Sequence, residues 1–334
     1  MKSLNELGPA AAVDQMKAWR AAGDSGKFVR KKSEFRSSLS TDGSTPHLPE
    51  VGRYHIYISH ACPWAHRVML VRSLLGLEDS ISVSVVDWRM ENDGSWVFNA
   101  DEPGASEDHL HGYSGIQQLY LAADPDFAGI GTVPVLWDKI QDTIVNNESR
   151  EIIRMLNTHH SLLKGQDDVR TSPLLPSELV DEIDAMIDAN YESLNNGVYK
   201  AGFARTQDAY EDAVGTLFGR LDELESLLGE HRYLLGDTLT EADICLWPTL
   251  IRFDLVYHTH FKCDRNRIVD MPNVWGYLRD IFQIHGIAET CDWTHIKWHY
   301  KWSHTSINPF RVVSIGPELD WHEPHGREAL SGES

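Results

Sequence analysis

The chain has 334 residues, 42% hydrophobic and 24% charged, which is ordinary globular composition with room for two cores and no reason to expect disorder. Thirty basic residues against fifty acidic ones leave a net charge of −20, which argues against nucleic acid or an anionic membrane as a partner. The four cysteines, Cys62, Cys245, Cys263 and Cys291, are too widely spaced for a secreted disulfide scaffold, the first residues lack the apolar stretch of a signal peptide, and no apolar run approaches the roughly 20 residues of a membrane span, so a soluble cytoplasmic protein is expected.

Residues 1–50 hold one short helical pattern, over 10–20, and then a Ser-, Thr-, Gly- and Pro-rich stretch over 37–49 that supplies no core; they read as an N-terminal extension. A strand is predicted over 54–58, a helix over 65–75 and a second strand over 81–86, where serines alternate with Val and Ile: a βαβ unit. A polar insertion rich in Asp, Gly and His occupies 91–111, and a helix follows over 116–122. Two more strands, 132–137 and 143–145, flank a turn, and a helix over 148–157 completes a small sheet domain over 51–160. Residues 161–177, with Asp167, Asp168 and Pro173, read as a linker.

From 178 to 312 the pattern is helical throughout. Ile183, Met186 and Ile187 form one apolar stripe; Leu217, Leu221, Leu224, Leu227 and Leu228 form another. Thr240 with Asp243 three positions on is a capping box, and Leu239 and Ile244 stand where a hydrophobic staple needs them, so a helix starts there. Residues 313–334, with Gly316, Pro317 and Pro324, read as an extended tail.

The chemistry concentrates at Cys62-Pro63-Trp64-Ala65-His66-Arg67, directly after the first predicted strand. A thiol at a helix start meets unpaired N–H groups and the positive end of the helix dipole, both of which favour the thiolate. An unperturbed thiol is only about 3% ionised near neutral pH, whereas cap cysteines ionise with pKa values of roughly 3.5–7.5. Pro63 fits the first helical position, where its missing N–H costs nothing. Ala65 stands where a dithiol motif would carry its second cysteine, so a disulfide formed by Cys62 has to be resolved by a thiol from outside the motif. Cys245, Cys263 and Cys291 carry no such signal and read as inert.

Pro134 removes a ladder donor from an apolar strand, which predicts an edge strand or a special peptide bond. Glu148 and Ser149 lie between a strand and a helix, where free N–H groups bind a carboxylate. Among seventeen histidines, His295 and His299 share i,i+4 spacing, but no carboxylate sits between them as in helical zinc motifs and Pro324 breaks the run His322-Glu323-Pro324-His325, so no metal site is expected.

These motifs, together with Phe35-Arg36, Trp96-Val97-Phe98, the run from Asn195 to Phe203, His299-Tyr300, Ser303-His304 and Ile307-Asn308-Pro309, resemble the glutathione transferases and, in finer pattern, the glutathionyl-hydroquinone reductases of the Xi class, over about 25–318. The resemblance implies an α/β thioredoxin-like N-terminal domain, an all-α C-terminal domain and a homodimer. It implies glutathione as co-substrate and the reduction of glutathionyl-hydroquinones to hydroquinones with release of oxidised glutathione. Cys62 would attack the glutathione sulfur, and a second glutathione would clear the mixed disulfide. By the same resemblance Pro134 is cis and Val133 presents its backbone to the cysteinyl part of glutathione, Glu148 and Ser149 take the γ-glutamyl end, Trp96 lies against glutathione, and Tyr199 and Tyr300 face the hydroquinone, where phenols can hydrogen-bond its oxygens and protonate the leaving ring carbon.

One departure stands out: the family commonly has an arginine a few residues before the Val-Pro pair, and this chain reads Gly129-Ile130-Gly131-Thr132. Weaker glutathione binding is expected unless Arg89 or Arg150 substitutes. Two rivals remain: an Omega-like thioltransferase or dehydroascorbate reductase using the same cysteine, and a non-catalytic carrier of aromatic ligands. Conjugation fits less well, because stabilising glutathione's own thiolate calls for a hydroxyl donor where this chain has Cys62.

Overall fold

The computed structural model describes residues 26–28, 33–90, 94–166 and 172–331; the helical pattern predicted over 10–20 and the acidic pair of the predicted linker lie outside them. Among the described residues the chain forms two compact units, one of 33–166 with 290–305, the other of 26–28, 172–289 and 306–331.

The first unit is built on a four-stranded mixed sheet with strand order β2-β1-β3-β4, from β1 (Tyr54–Ile58), β2 (Ser82–Val85), β3 (Val135–Asp138) and β4 (Thr143–Asn146). β2 runs parallel to β1, with His55 opposite Ser82 and Ile58 opposite Val85; β3 is antiparallel to β1, and β4 to β3. All five residues of β1 are buried, as a strand paired on both sides with both faces covered requires. Helix α1 (Pro63–Leu74) follows β1, α2 (Ile116–Ala123) follows the polar insertion, and α3 (Ser149–Leu163) follows β4; α1 and α3 pack on each other. This is the thioredoxin-like arrangement that the sequence implies.

Two expectations shift in detail. Pro134 does not interrupt β3, which starts one residue later and lies between β1 and β4 rather than at an edge; the proline occupies the entrance, where the ladder needs no donor, and the Val133–Pro134 bond is cis. The helix predicted over 148–157 continues to Leu163, burying Ile152, Ile153, Met155 and Leu156 along one side.

The extension is not idle where it is described. Its backbone lies along the outer edge of β4, with Ser37 N–H on Val145 O, Asn147 N–H on Phe35 O and an antiparallel bridge between Arg36 and Asn146, so the sheet's open edge is covered. A buried ion cluster anchors it: Asp138 accepts from Arg53 Nε at 2.9 Å and Nη2 at 2.6 Å and lies 2.8 Å from His47 Nδ1.

The second unit is helical: α4 (Val180–Asn190), α5 (Gly197–Gly202), α6 (Gln207–Glu230), α7 (Glu241–Leu250) and α8 (Pro272–Phe282). Leu217, Leu221, Leu224 and Leu228 are buried along α6, and Ile183 and Ile187 along α4; Met186 and Leu227 lie at the margins of those stripes, half-exposed. The capping box forms as predicted, with Thr240 N–H on Asp243 Oδ2 at 2.9 Å and Ala242 N–H on Thr240 Oγ1 at 3.3 Å. The tail belongs to this unit: Trp321 packs against Trp275 and Phe282, and the buried Arg327 guanidinium donates to the carbonyls of His231, Arg232 and Asn273. No helix of the described residues is long and apolar enough to cross a membrane.

One element departs from chain order. Helix α9 (Trp293–Ser303), which follows the whole helical unit in sequence, packs within the sheet unit.

Candidate active site

Cys62 is the N-cap of α1, with extended backbone (φ −77°, ψ 120°) and Pro63 at the first helical position. Its carbonyl accepts the first helical hydrogen bond, from His66 N–H at 3.0 Å, and its side chain makes no capping hydrogen bond. The thiol is half-buried and donates to the Val133 carbonyl at 3.5 Å. Ala65, at the second-thiol position, is fully buried. Cys245 and Cys263 are buried as read from sequence, and burial pushes the Cys263 thiol well above its ordinary range.

The loop that carries Val133 is braced from two sides. Tyr120 on α2 donates to Thr132 O at 3.0 Å and accepts from Asn147 Nδ2 at 2.8 Å, so one phenol links the residue before Val133 to the residue before Glu148. Gln117 accepts from Gly131 N–H at 2.8 Å and donates to Gly129 O at 3.2 Å, gripping both neighbours of Ile130. A Cβ at Gly131 would come within 3.0 Å of Ile116 and 3.2 Å of the Gln117 backbone, so glycine permits the loop to sit this close to α2. The Val133 N–H has no partner among the described residues.

Glu148 is the N-cap of α3 and Ser149 its first residue. The Glu148 carboxylate accepts from Ser33 Oγ at 3.0 Å, and its N–H donates to Asn146 Oδ1 at 2.7 Å. Ser149 is buried, and its hydroxyl accepts from Arg67 Nη1 at 3.3 Å. Arg67 is itself buried, a cation carried by the cysteine's own helix to the start of α3. Sequence reasoning missed it; the signal was an arginine on the same short motif as Cys62, in a helix otherwise apolar on that side. Arg89, a candidate to replace the absent family arginine, is already matched by Asp87 and Glu102, each at 2.8 Å, and lies over the Trp88 ring at 4.3 Å.

Trp96 is buried in the insertion, its ring stacked on His299 of α9 with centroids 4.7 Å apart and planes 25° apart. Tyr300, next on α9, is almost wholly buried between the His299 and His304 rings. Tyr199 belongs to the other unit, on α5, in an aromatic cluster with Phe28, Phe203, Tyr257 and Phe261. The sheet unit therefore contains Cys62, Trp96, Val133, Pro134, Glu148, Ser149 and Tyr300, and the helical unit contains Tyr199. His295 and His299 each place a ring nitrogen 2.8 Å from a backbone carbonyl, of Pro103 and Trp88, and no three His, Cys, Asp or Glu side chains converge as a metal site among the described residues.

A strand-to-helix cysteine facing a cis-proline loop, beside a helix N-terminus with a buried hydroxyl, defines a thiol site of the glutathione transferase class. Family models agree: residues 61–159 match the glutathione S-transferase N-terminal domain and residues 207–280 its C-terminal domain. The glutathionyl-hydroquinone reductase YqjG of Escherichia coli is 51% identical over 92% of this chain and 94% of its own length, and PcpF of Sphingobium chlorophenolicum, of the same description, is 46% identical over 87% and 90%. The glutathione-bound structure of YqjG superposes with a TM-score of 0.83 at 52% identity, over 88% of this chain and 96% of that one. A Xi-class glutathione transferase from Natrialba magadii gives 0.86 at 47%, over 93% of both. The chain belongs to the glutathionyl-hydroquinone reductases, the Xi class of the glutathione S-transferase family.

Proposed function

We propose that this protein reduces glutathionyl-hydroquinones to hydroquinones at the expense of glutathione. The Cys62 thiolate attacks the glutathione sulfur of the thioether; the new S–S bond forms as the carbon–sulfur bond breaks, and the electron pair left on the ring carbon takes up a proton. A second glutathione thiolate then attacks the mixed disulfide, releasing oxidised glutathione and restoring Cys62. Val133 pairs through its backbone with the cysteinyl part of glutathione, Glu148, Ser149 and the start of α3 hold the γ-glutamyl end, Trp96 lies against the tripeptide, and Tyr199 and Tyr300 serve the aromatic ring.

The observation that carries this reading is the half-buried Cys62 thiol directed at the Val133 carbonyl, with alanine where a resolving thiol would stand. Such a site requires a soluble thiol as second reductant, and glutathione is that thiol. A homodimer in the cytoplasm belongs to the same proposal. Mass spectrometry of protein mixed with a glutathionyl-hydroquinone tests the central step: one glutathionyl group should appear on Cys62 and leave on addition of glutathione. Turnover of hydroxyethyl disulfide or dehydroascorbate in preference to the thioether would move the assignment to an Omega-like thioltransferase.

A further inference from the structure

Trp96 stands on a loop, and the structure shows what holds it. Two limbs, 87–90 leading into the insertion and 96–98 within it, are joined as a short antiparallel pair through a bridge between Met90 and Trp96 and the bond from Asp87 N–H to Val97 O at 2.9 Å, and Val97 is bridged in turn to Gly115 just before α2. Those contacts fix the backbone and leave the indole's side-chain torsions open.

One face of α9 supplies the remainder. The Trp88 ring meets Trp298 at 5.4 Å and Trp302 at 6.0 Å, and Met90 N–H donates to Ser303 Oγ at 3.0 Å, so the first limb is pinned to the helix along its length. His299 joins the first limb to the second. Its Nδ1 lies 2.8 Å from Trp88 O; a carbonyl only accepts, so Nδ1 carries the hydrogen and the ring plane is locked. The locked ring stacks on Trp96, and both side chains are at least nine-tenths buried, His299 6% exposed and Trp96 7%.

We infer that His299 is a positioning residue for glutathione: it sets the orientation of the Trp96 indole, and α9 is the buttress that transmits that orientation to the insertion. The inference rests on the proposed placing of Trp96 against glutathione. A preset indole is presented to the ligand without the cost of ordering it on binding, so loss of the stack weakens glutathione binding and leaves the chemistry at Cys62 intact.

The test is glutathione affinity by calorimetry, with steady-state kinetics, on Trp96→Ala, His299→Ala, the double variant, His299→Phe and His299→Asn. His299→Ala should raise Kd and KM for glutathione about two- to tenfold, the range of an aromatic stack, while kcat stays within about twofold. In the Trp96→Ala background the same change should add nothing. Phenylalanine, which keeps a ring to stack, should rescue affinity; asparagine, which keeps a donor for Trp88 O and no ring, should not. These two near-isosteric variants carry the comparison should alanine prevent folding. An unchanged Kd for His299→Ala, or an equal loss with and without Trp96, overturns the inference while leaving Trp96 at the site. An unchanged Kd for Trp96→Ala overturns the placing of Trp96 itself, and the inference falls with it.

Discussion

Cys62 and Val133, 71 positions apart in sequence, meet through the thiol and a carbonyl oxygen at 3.5 Å. The contact joins the proposed nucleophile to the backbone edge on which, in the proposed function, an extended thiol peptide is added as a strand. In the proposed reaction, a glutathione paired with Val133 through its cysteinyl backbone would have its sulfur carried toward Cys62, so that binding and attack would share one short stretch of structure.

Cys62→Ser removes the sulfur and leaves that backbone edge in place. Turnover of a glutathionyl-hydroquinone should fall by about a thousandfold or more, since serine lacks the nucleophilicity of a thiol sulfur. The glutathione Kd should stay within about threefold of the unaltered protein. Single-turnover kinetics with calorimetry separate the two effects; a variant retaining a tenth of the activity would remove Cys62 from the mechanism.

Elements of both units were legible where their residues signal locally: β-branched alternation at 81–86 and a cysteine and proline at a helix start in the sheet unit, and a capping box at Thr240 in the helical unit, each act over a few positions. Contacts that depend on distant chain segments left no such trace. Arg67 reads as one more charge on a helix until α3 is laid beside α1 and Ser149 arrives at its guanidinium. His299 reads as half of a weak metal pair until the stretch 88–96, about two hundred residues earlier, supplies Trp88 and Trp96. The Ser-, Thr-, Gly- and Pro-rich composition of the extension shows only that it supplies no core, yet a chain can cover a sheet edge through backbone hydrogen bonds alone, for which composition gives no signal.

Ile130 stands in the braced loop where the family resemblance implies an arginine, and Arg89 is occupied by two carboxylates. Ile130→Arg should therefore tighten glutathione binding, by about tenfold if one charge-assisted hydrogen bond of roughly 1.5 kcal/mol forms. Arg67→Met should act in the opposite direction by a similar factor, since it leaves the Ser149 hydroxyl without its buried donor. Calorimetric titration of both variants decides the matter. Unchanged affinity in Ile130→Arg would mean that the loop does not border the glutathione site.

Asp243 gives the helical unit a pH dependence of its own. Burial raises its pKa from 3.8 to about 6, against the lowering effect of hydrogen bonds from Leu234 N–H, Thr240 and Tyr277 OH. A folded pKa above the unfolded one means that this contribution to stability is full below about pH 4 and is lost as pH rises through 6. Asp243→Asn does not titrate, so the stability gap between the two proteins should be widest near pH 4 and narrow by about 1–3 kcal/mol by pH 7. Urea midpoints across that range measure it. A gap that widens with pH would show the donors outweighing burial.

His55 slopes the other way in the sheet unit. It is wholly buried on β1, with Nδ1 2.7 Å from Ser82 Oγ and Nε2 3.0 Å from Ser84 Oγ, and burial lowers its pKa from 6.5 to about 3. The unfolded chain binds a proton below pH 6.5 that the folded one refuses until about pH 3, so stability present above 6.5 is lost as pH falls through that window, at up to about 1.4 kcal/mol per pH unit. His55→Gln keeps an amide for one serine and does not titrate; it should cost about 1–2 kcal/mol at pH 8 and fall less steeply in acid, so the two stability curves converge below pH 6.5. Between about pH 4 and 6 this slope opposes that of Asp243, so the unaltered protein's net slope there identifies neither group, and each must be measured as a difference from its own non-titrating variant. Parallel curves for His55→Gln and the unaltered protein would mean that the imidazole takes up its proton in the folded state, with the serine pair turned to accept from it.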